Sequence, residues 1–206
     1  MQDYTPVQYM VIKALYKCKK TILGDFGQCV NPYNSNSLSL LSDIFENSEI
    51  VKLNKSYRST YEIIKFSEQI LKQDIEPIER HGDKVQHWKV DSENNKIIKI
   101  CEIIKKQLEV GHINIAIITK DFNESLELHK EIINYGVNVE LISENLDKYT
   151  GGVIVIPSYL SKGLEFDSVI ISDFNKYSEN MLDTKLMYVA CTRAMHTLDI
   201  IKVTKD

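Results

Sequence analysis

Apolar residues recur along this chain in two alternating rhythms. Short runs rich in β-branched residues stand at Thr21–Leu23, Ile50–Leu53, Val85–Val90, Ile115–Thr119, Val137–Ile142, Val153–Ile156, Ser168–Ser172 and Leu198–Val203. Several are continuous rather than alternating, the pattern of strands covered on both faces. Between them lie stretches with apolar residues at helical spacing. Pro6–Lys17 carries Val7, Met10, Val11, Ala14 and Leu15 as a one-sided stripe, and Thr60–Leu71, Asn95–Leu108, Phe122–Tyr135 and Met181–Met195 repeat it. Gly136 ends the fourth stretch and suits a left-handed cap. Runs and stripes in alternation predict an α/β fold with a largely parallel sheet.

Two polar segments interrupt the rhythm. Asn31–Ser42 is rich in Asn and Ser, and Asp74–Lys84 contains Pro77 and Gly82, so both read as loops. A boundary near residue 48 follows. Residues 1–47 hold one helix and one strand, too little to close a sheet, and read as the end of a domain whose beginning is missing. Residues 48–206 hold enough elements for a domain of their own.

Charge and composition narrow the class. The net charge of −4 argues against this chain alone gripping nucleic acid tightly, since phosphate contacts carry that affinity. Cys18, Cys29, Cys101 and Cys191 are far apart, without C-x-x-C or a His at ligand spacing. They read as reduced, mostly buried thiols of a cytoplasmic protein, with no metal site. No run is long enough to span a membrane, and the polar start has no basic region of a signal peptide.

Four short segments carry candidate chemistry. Gly24-Asp25-Phe26-Gly27-Gln28 follows the run at 21–23 and places Asp25 and Gln28 at a sheet edge, where ligands of open α/β sheets bind. Leu53–Thr60 contains Tyr57-Arg58-Ser59 at a strand-to-helix junction. Ser59 or Thr60 could cap the helix, Arg58 could fork onto a phosphate, and Tyr57 could stack on a base. Ser161-Lys162-Gly163-Leu164-Glu165-Phe166-Asp167 joins two strands. Gly163 permits close backbone approach, and Glu165 could accept from sugar hydroxyls. Leu186–Ala194 reads as a helix from whose C-terminal end Arg193 emerges, a position the helix dipole favours. Taken singly, these segments are equally a turn, a solvated arginine, a polar turn and an ordinary helix end.

Their order is more specific. GDxxQ, YRS, SKGLEFD and YVACTRA, in that sequence and nearly from end to end of the chain, closely resemble motifs III to VI of superfamily 1 helicases of the UvrD/Rep type. Gln2-Asp3 resembles the tail of motif II, with the metal-handling acids upstream. QDYTPVQYMVIKAL and PSYLSKGLEF are similar to the HelD-type branch, which associates with RNA polymerase.

The resemblance implies a RecA-like (P-loop NTPase-like) three-layer fold in which two domains sandwich ATP. Residues 1–47 would be the C-terminal remnant of the first domain, and 48–206 the second. It further implies that Gln28 senses the γ-phosphate, Tyr57 stacks on adenine and Arg58 contacts the γ-phosphate. Gly163 would approach that phosphate through its backbone, Glu165 would bind the ribose, and Arg193 would be the arginine finger. Two departures qualify this. Where motif V often opens with Thr-x-His, this chain has Pro157 and Tyr159, so contacts to single-stranded DNA would fall to Tyr159 and Ser158. No G-x-x-x-x-G-K-[ST] occurs in the chain. ATP with Mg²⁺ therefore belongs to the complete motor, and this chain alone is expected to bind ATP weakly and not hydrolyse it. The other readings are a non-catalytic RecA-like module docking on RNA polymerase or another partner, and a small nucleotide-binding enzyme unrelated to helicases.

Overall fold

The computed structural model describes residues 4–30, 38–72, 75–144, 149 and 151–204. The motif II remnant, Gln2-Asp3, lies outside them. The chain divides into two compact units, residues 1–54 and 55–206.

In the first unit, α1 (Pro6–Leu15) opens on a capping box. Thr5 N–H donates to Gln8 Oε1 at 2.7 Å while Gln8 N–H donates to Thr5 Oγ1 at 3.4 Å, and Pro6 supplies the preset φ of a first helical residue. A second helix, α2 (Leu38–Ile44), replaces the C-terminal part of the loop expected at 31–42, and residues 31–37 of that loop lie outside the described set. Tyr9, Leu41 and Ile44 form a small buried cluster, with the Tyr9 and Phe45 rings edge to face at 6.0 Å. The runs at 21–23 and 50–53 are irregular chain rather than strands. Their apolar residues suit a sheet, but no strand is assigned over either run. Leu23, Val51 and Leu53 are exposed.

The second unit is built on a six-stranded, wholly parallel sheet in the order β3 (Gln86–Val90), β8 (Ala194–Val203), β7 (Phe166–Ile171), β4 (Ile115–Thr119), β6 (Val153–Pro157), β5 (Glu140–Leu141). All of β4 is buried, which is why its sequence is a continuous apolar run. On one face α4 (Glu93–Val110) and α5 (Phe122–Asn134) bury Ile97, Ile100, Ile104, Leu128 and Ile132 against the sheet. On the other, α3 (Tyr61–Leu71) and α6 (Met181–Cys191) bury Ile63, Met187, Ala190 and Cys191. The three-layer α/β architecture is the one expected. Gly136 does adopt positive φ (96°) just past α5.

Several boundaries differ from the sequence reading. The strand expected over 137–142 shrinks to the edge pair Glu140–Leu141. The helix expected to run to Met195 stops at Cys191. The ladder takes over there, because Phe166 N–H donates to the Arg193 carbonyl (3.0 Å) and Phe166 pairs with Ala194. The loop at 74–84 contains β2 (Glu76–Pro77), which pairs in parallel with β1 (Lys55–Ser56).

Candidate functional site

The strands are parallel, so residues that precede them share one edge of the sheet. Glu165 precedes β7, Arg193 precedes β8, and the ladder puts these starts side by side. The segment before α3 joins them, with Ser59 Oγ donating to the Ala194 carbonyl at 2.5 Å in a buried bond. Three stretches far apart in sequence thus meet at the N-terminal edge of β7 and β8. The expectation that Ser59 or Thr60 caps α3 through its side chain is not met. Ser59 is bound to Ala194, and Thr60 stands at the cap position without a side-chain cap bond.

Arg58 and Glu165 form an ion pair, Nε to Oε1 at 2.6 Å, with both side chains more than a third exposed. Tyr57 beside them is 67% exposed, so its ring face is available to a stacking ligand. Gly163 adopts φ +84°, and a Cβ built on it meets nothing within 4 Å. Its backbone therefore lies open on one side, in a conformation that strains other residues. The turn around it is self-bonded: Leu164 N–H donates to Ser161 O, and Ser161 Oγ to Ser158 O.

Arg193 does not emerge from the helix end as the sequence suggests. It is fully buried and folds back beneath the 161–165 turn. Its Nε donates to Val189 O (3.0 Å), Nη1 to Leu164 O (3.3 Å) and Nη2 to Thr192 Oγ1 (3.1 Å). These three bonds explain the inward rotamer. They also put one guanidinium nitrogen on the residue next to Glu165.

The remaining site residues fall elsewhere. Gln28 belongs to the first unit. Its side-chain amide donates to Asp25 Oδ2 at 2.9 Å, and Asp25 Oδ1 accepts from Gly27 N–H, so GDxxQ is a short self-bonded turn. Ser158 and Tyr159 sit at the opposite, C-terminal edge of the sheet. Ser158 is fully buried and donates to Lys120 O at 3.0 Å, so its hydroxyl does not face a surface ligand. Tyr159 is half-buried, and desolvation together with nearby Glu144 holds its phenol above the usual tyrosine range.

Two residues at the arginine edge had no motif to mark them. Arg80 donates from Nη1 to the Arg58 carbonyl (3.0 Å) and lies 3.0 Å from His196 Nδ1 through Nη2. The only sequence signal was an Arg-x-Gly inside a polar segment. No group of three or more His, Cys, Asp or Glu among the described residues could hold a metal ion.

The sequence model of one family, described as the UvrD-like helicase C-terminal domain, matches residues 152–201. Among solved structures, the C-terminal domain of a possible DNA helicase from Lactobacillus plantarum WCFS1 is 32% identical, with a TM-score of 0.62. The match covers 73% of this chain and 89% of that one. Weaker likenesses are to Dbp5 of S. cerevisiae bound to RNA (13% identity, 69% of this chain and 42% of that one, TM-score 0.44) and to the UvsW helicase of bacteriophage T4 (9%, 82% and 61%, 0.44). No curated protein matches the chain.

Proposed function

Since the chain belongs to the UvrD-like helicase family, as its C-terminal domain, we propose that it is the second RecA-like half of a superfamily 1 ATP-dependent motor acting on single-stranded DNA. The observation that carries this reading is the meeting of Arg58, Glu165 and Arg193 at one sheet edge beside an exposed Tyr57 and an open Gly163. Phosphoryl transfer needs positioned positive charge rather than covalent help, and two guanidinium groups with a hydroxyl-accepting carboxylate and a stacking ring fit a nucleoside triphosphate.

In this reading Tyr57 stacks on the base and Glu165 accepts from the ribose. Arg58 leaves its ion pair to meet the γ-phosphate. Arg193 exchanges the long bond to the Leu164 carbonyl for a phosphate oxygen, a charge-assisted and stronger acceptor. It then offsets the charge that spreads over the transferring group. Gln28 reports the γ-phosphate from the first domain. The 206 residues contain neither a phosphate-binding loop nor a metal cluster among those described, so the phosphate cradle and Mg²⁺ would come from another domain. The chain alone would not hydrolyse ATP. Residues 1–47 read as the end of that other domain. Supporting this, Val7, Met10, Val11 and Leu15 of α1 are exposed, and a cleft of about 740 Å³ opens between residues 18–23 and 41–51.

The test is turnover in the assembled motor. Arg193→Lys keeps the charge but loses the planar fork. It should lower DNA-stimulated ATP hydrolysis by about 10³-fold while nucleotide affinity changes little. Undiminished turnover in that variant overturns the assignment, as does hydrolysis by the 206-residue chain alone.

A further inference from the structure

The segment between α3 and β3, polar in sequence and without a motif, folds back onto the 57–62 stretch at several points. Tyr61 N–H donates to the Arg80 carbonyl at 2.8 Å. Glu62 accepts from the Gly82 N–H at 2.9 Å and pairs with His81 Nδ1 at 3.0 Å, while the Tyr61 and His81 rings lie 4.9 Å apart. Gly82 lies so close to Thr60 that a Cβ on it would stand 2.5 Å from the Thr60 methyl. Arg80 completes the contact, one Nη on the Arg58 carbonyl and the other on His196 Nδ1, each at 3.0 Å.

We propose that Arg80 is a positioning residue for the nucleotide site: its guanidinium fork ties the backbone of Arg58 to His196 on β8 and so fixes where the Arg58 side chain reaches. The proposal rests on the function proposed above. Its physical basis is the fork. Arg58 sits in irregular chain between β1 and α3, where no ladder holds its carbonyl. One planar group with two diverging donors can bridge that carbonyl and a ring nitrogen on a central strand, and a lysine ammonium on its flexible stem cannot hold both at that geometry.

The bridge depends on the state of His196. Arg80 is always a donor, so Nδ1 must accept, and the ring must be neutral with its proton on Nε2. The charged and titratable groups facing the ring are Arg80 itself, His112 stacked at 5.6 Å from the turn before β4, and Asp167 on β7. Burial is the largest influence, and with Arg80 and His112 it outweighs Asp167, so the ring protonates below the usual histidine range. The Arg80–His196 contact is therefore present at neutral pH and is lost as pH falls through that depressed value.

Two measurements test this. In the 206-residue chain, the His196 titration followed by ring NMR shifts should move up by about half to one pH unit in Arg80→Ala, because a donor to Nδ1 and a neighbouring positive charge are both removed. In the assembled motor, Arg80→Ala should lower kcat for ATP by roughly tenfold or more while KM changes less than about twofold, the pattern of a misplaced catalytic group. Arg80→Lys should not restore it. Gly82→Ala, which pushes the segment off Thr60 and keeps the guanidinium, should lower kcat in the same direction and serves if Arg80→Ala does not fold. An unmoved His196 titration overturns the bridge. A moved titration with kcat intact below the melting temperature overturns the positioning role. If Arg58→Ala leaves turnover unchanged, the nucleotide site itself is misassigned, a different failure from that of Arg80.

Discussion

The two edges of the six-stranded sheet are built on opposite plans. At the C-terminal edge, β4 leaves toward α5 on one face while its neighbour β7 leaves toward α6 on the other. That divergence makes a crevice, and in open α/β sheets such a crevice is the usual ligand site. Here the chain fills it. Lys120 Nζ pairs with Asp183 (2.7 Å) and donates to the Lys176 carbonyl. Asp183 also accepts from the Ser178 N–H and hydroxyl. Glu124 accepts from Ser172 Oγ and Lys120 N–H, each at 3.0 Å. At the N-terminal edge, Arg58, Glu165 and Tyr57 stay partly or largely exposed. Polar groups that answer one another inside a crevice stabilise a domain. Those left half in water stabilise little and are free to exchange partners.

The largest expected effect lies at the closed edge. Asp183→Ala strands the Lys120 ammonium and the Ser178 donors, and should cost about 2–3 kcal/mol in urea unfolding of the chain at neutral pH. A loss below about 0.5 kcal/mol would mean that the crevice is not held shut by this network. Acid should show the same dependence. Hydrogen bonds from Lys120 and Ser178 outweigh burial and hold the Asp183 carboxyl at about 2, below its ordinary 3.8. Its folded value is depressed, so the stability it contributes, about 2 kcal/mol, is present above pH 4 and lost as pH falls toward 2. In Asp183→Asn that acid limb should flatten.

Glu124 titrates the other way and gives a smaller effect. Burial raises its carboxyl above the usual range despite its two donors. The folded state then holds its proton longer than the unfolded state, and stability falls as pH rises through the raised value. Glu124→Gln keeps an acceptor for the Lys120 amide and can donate to the Ser172 hydroxyl. It should leave stability at pH 7 unchanged or raise it by up to about 1 kcal/mol. A loss of more than that would show that the ionised carboxylate is itself stabilising.

The same contrast decides what the sequence could reveal. The sheet was legible because central parallel strands must be continuous apolar runs, and 115–119, 153–156 and 168–172 are. The runs at 21–23 and 50–53 look alike but form no assigned strand, since pairing is a property of the neighbour and not of the run. The motifs marked Arg58, Gly163, Glu165 and Arg193, which the turns before β7 and β8 and the segment before α3 carry to one edge. They did not reveal that Arg193 is buried, which depends on carbonyls at 164 and 189 that any residue would present. Arg80 and the Lys120–Asp183 pair were illegible for a related reason. Both join residues more than twenty positions apart whose side-chain types are common on any surface.

The smallest effect belongs to the open edge, and there the comparison can be broken most cleanly. Arg58 and Glu165 are as close as Lys120 and Asp183, with Nε to Oε1 at 2.6 Å. Distance alone would rank the two pairs as equals. Solvent ranks them differently, since water screens a pair whose members are both more than a third exposed and each side chain loses entropy in holding its place. A double-mutant cycle of Arg58→Ala and Glu165→Ala on the chain without nucleotide should give a coupling of at most about 0.5 kcal/mol, smaller still in high salt. Weak coupling is what the proposed nucleotide site would need, because in that reading each partner leaves the other to meet phosphate or ribose. A coupling near 2 kcal/mol would make this pair a strut of the same kind as Lys120–Asp183, and the open edge would then be another closed one.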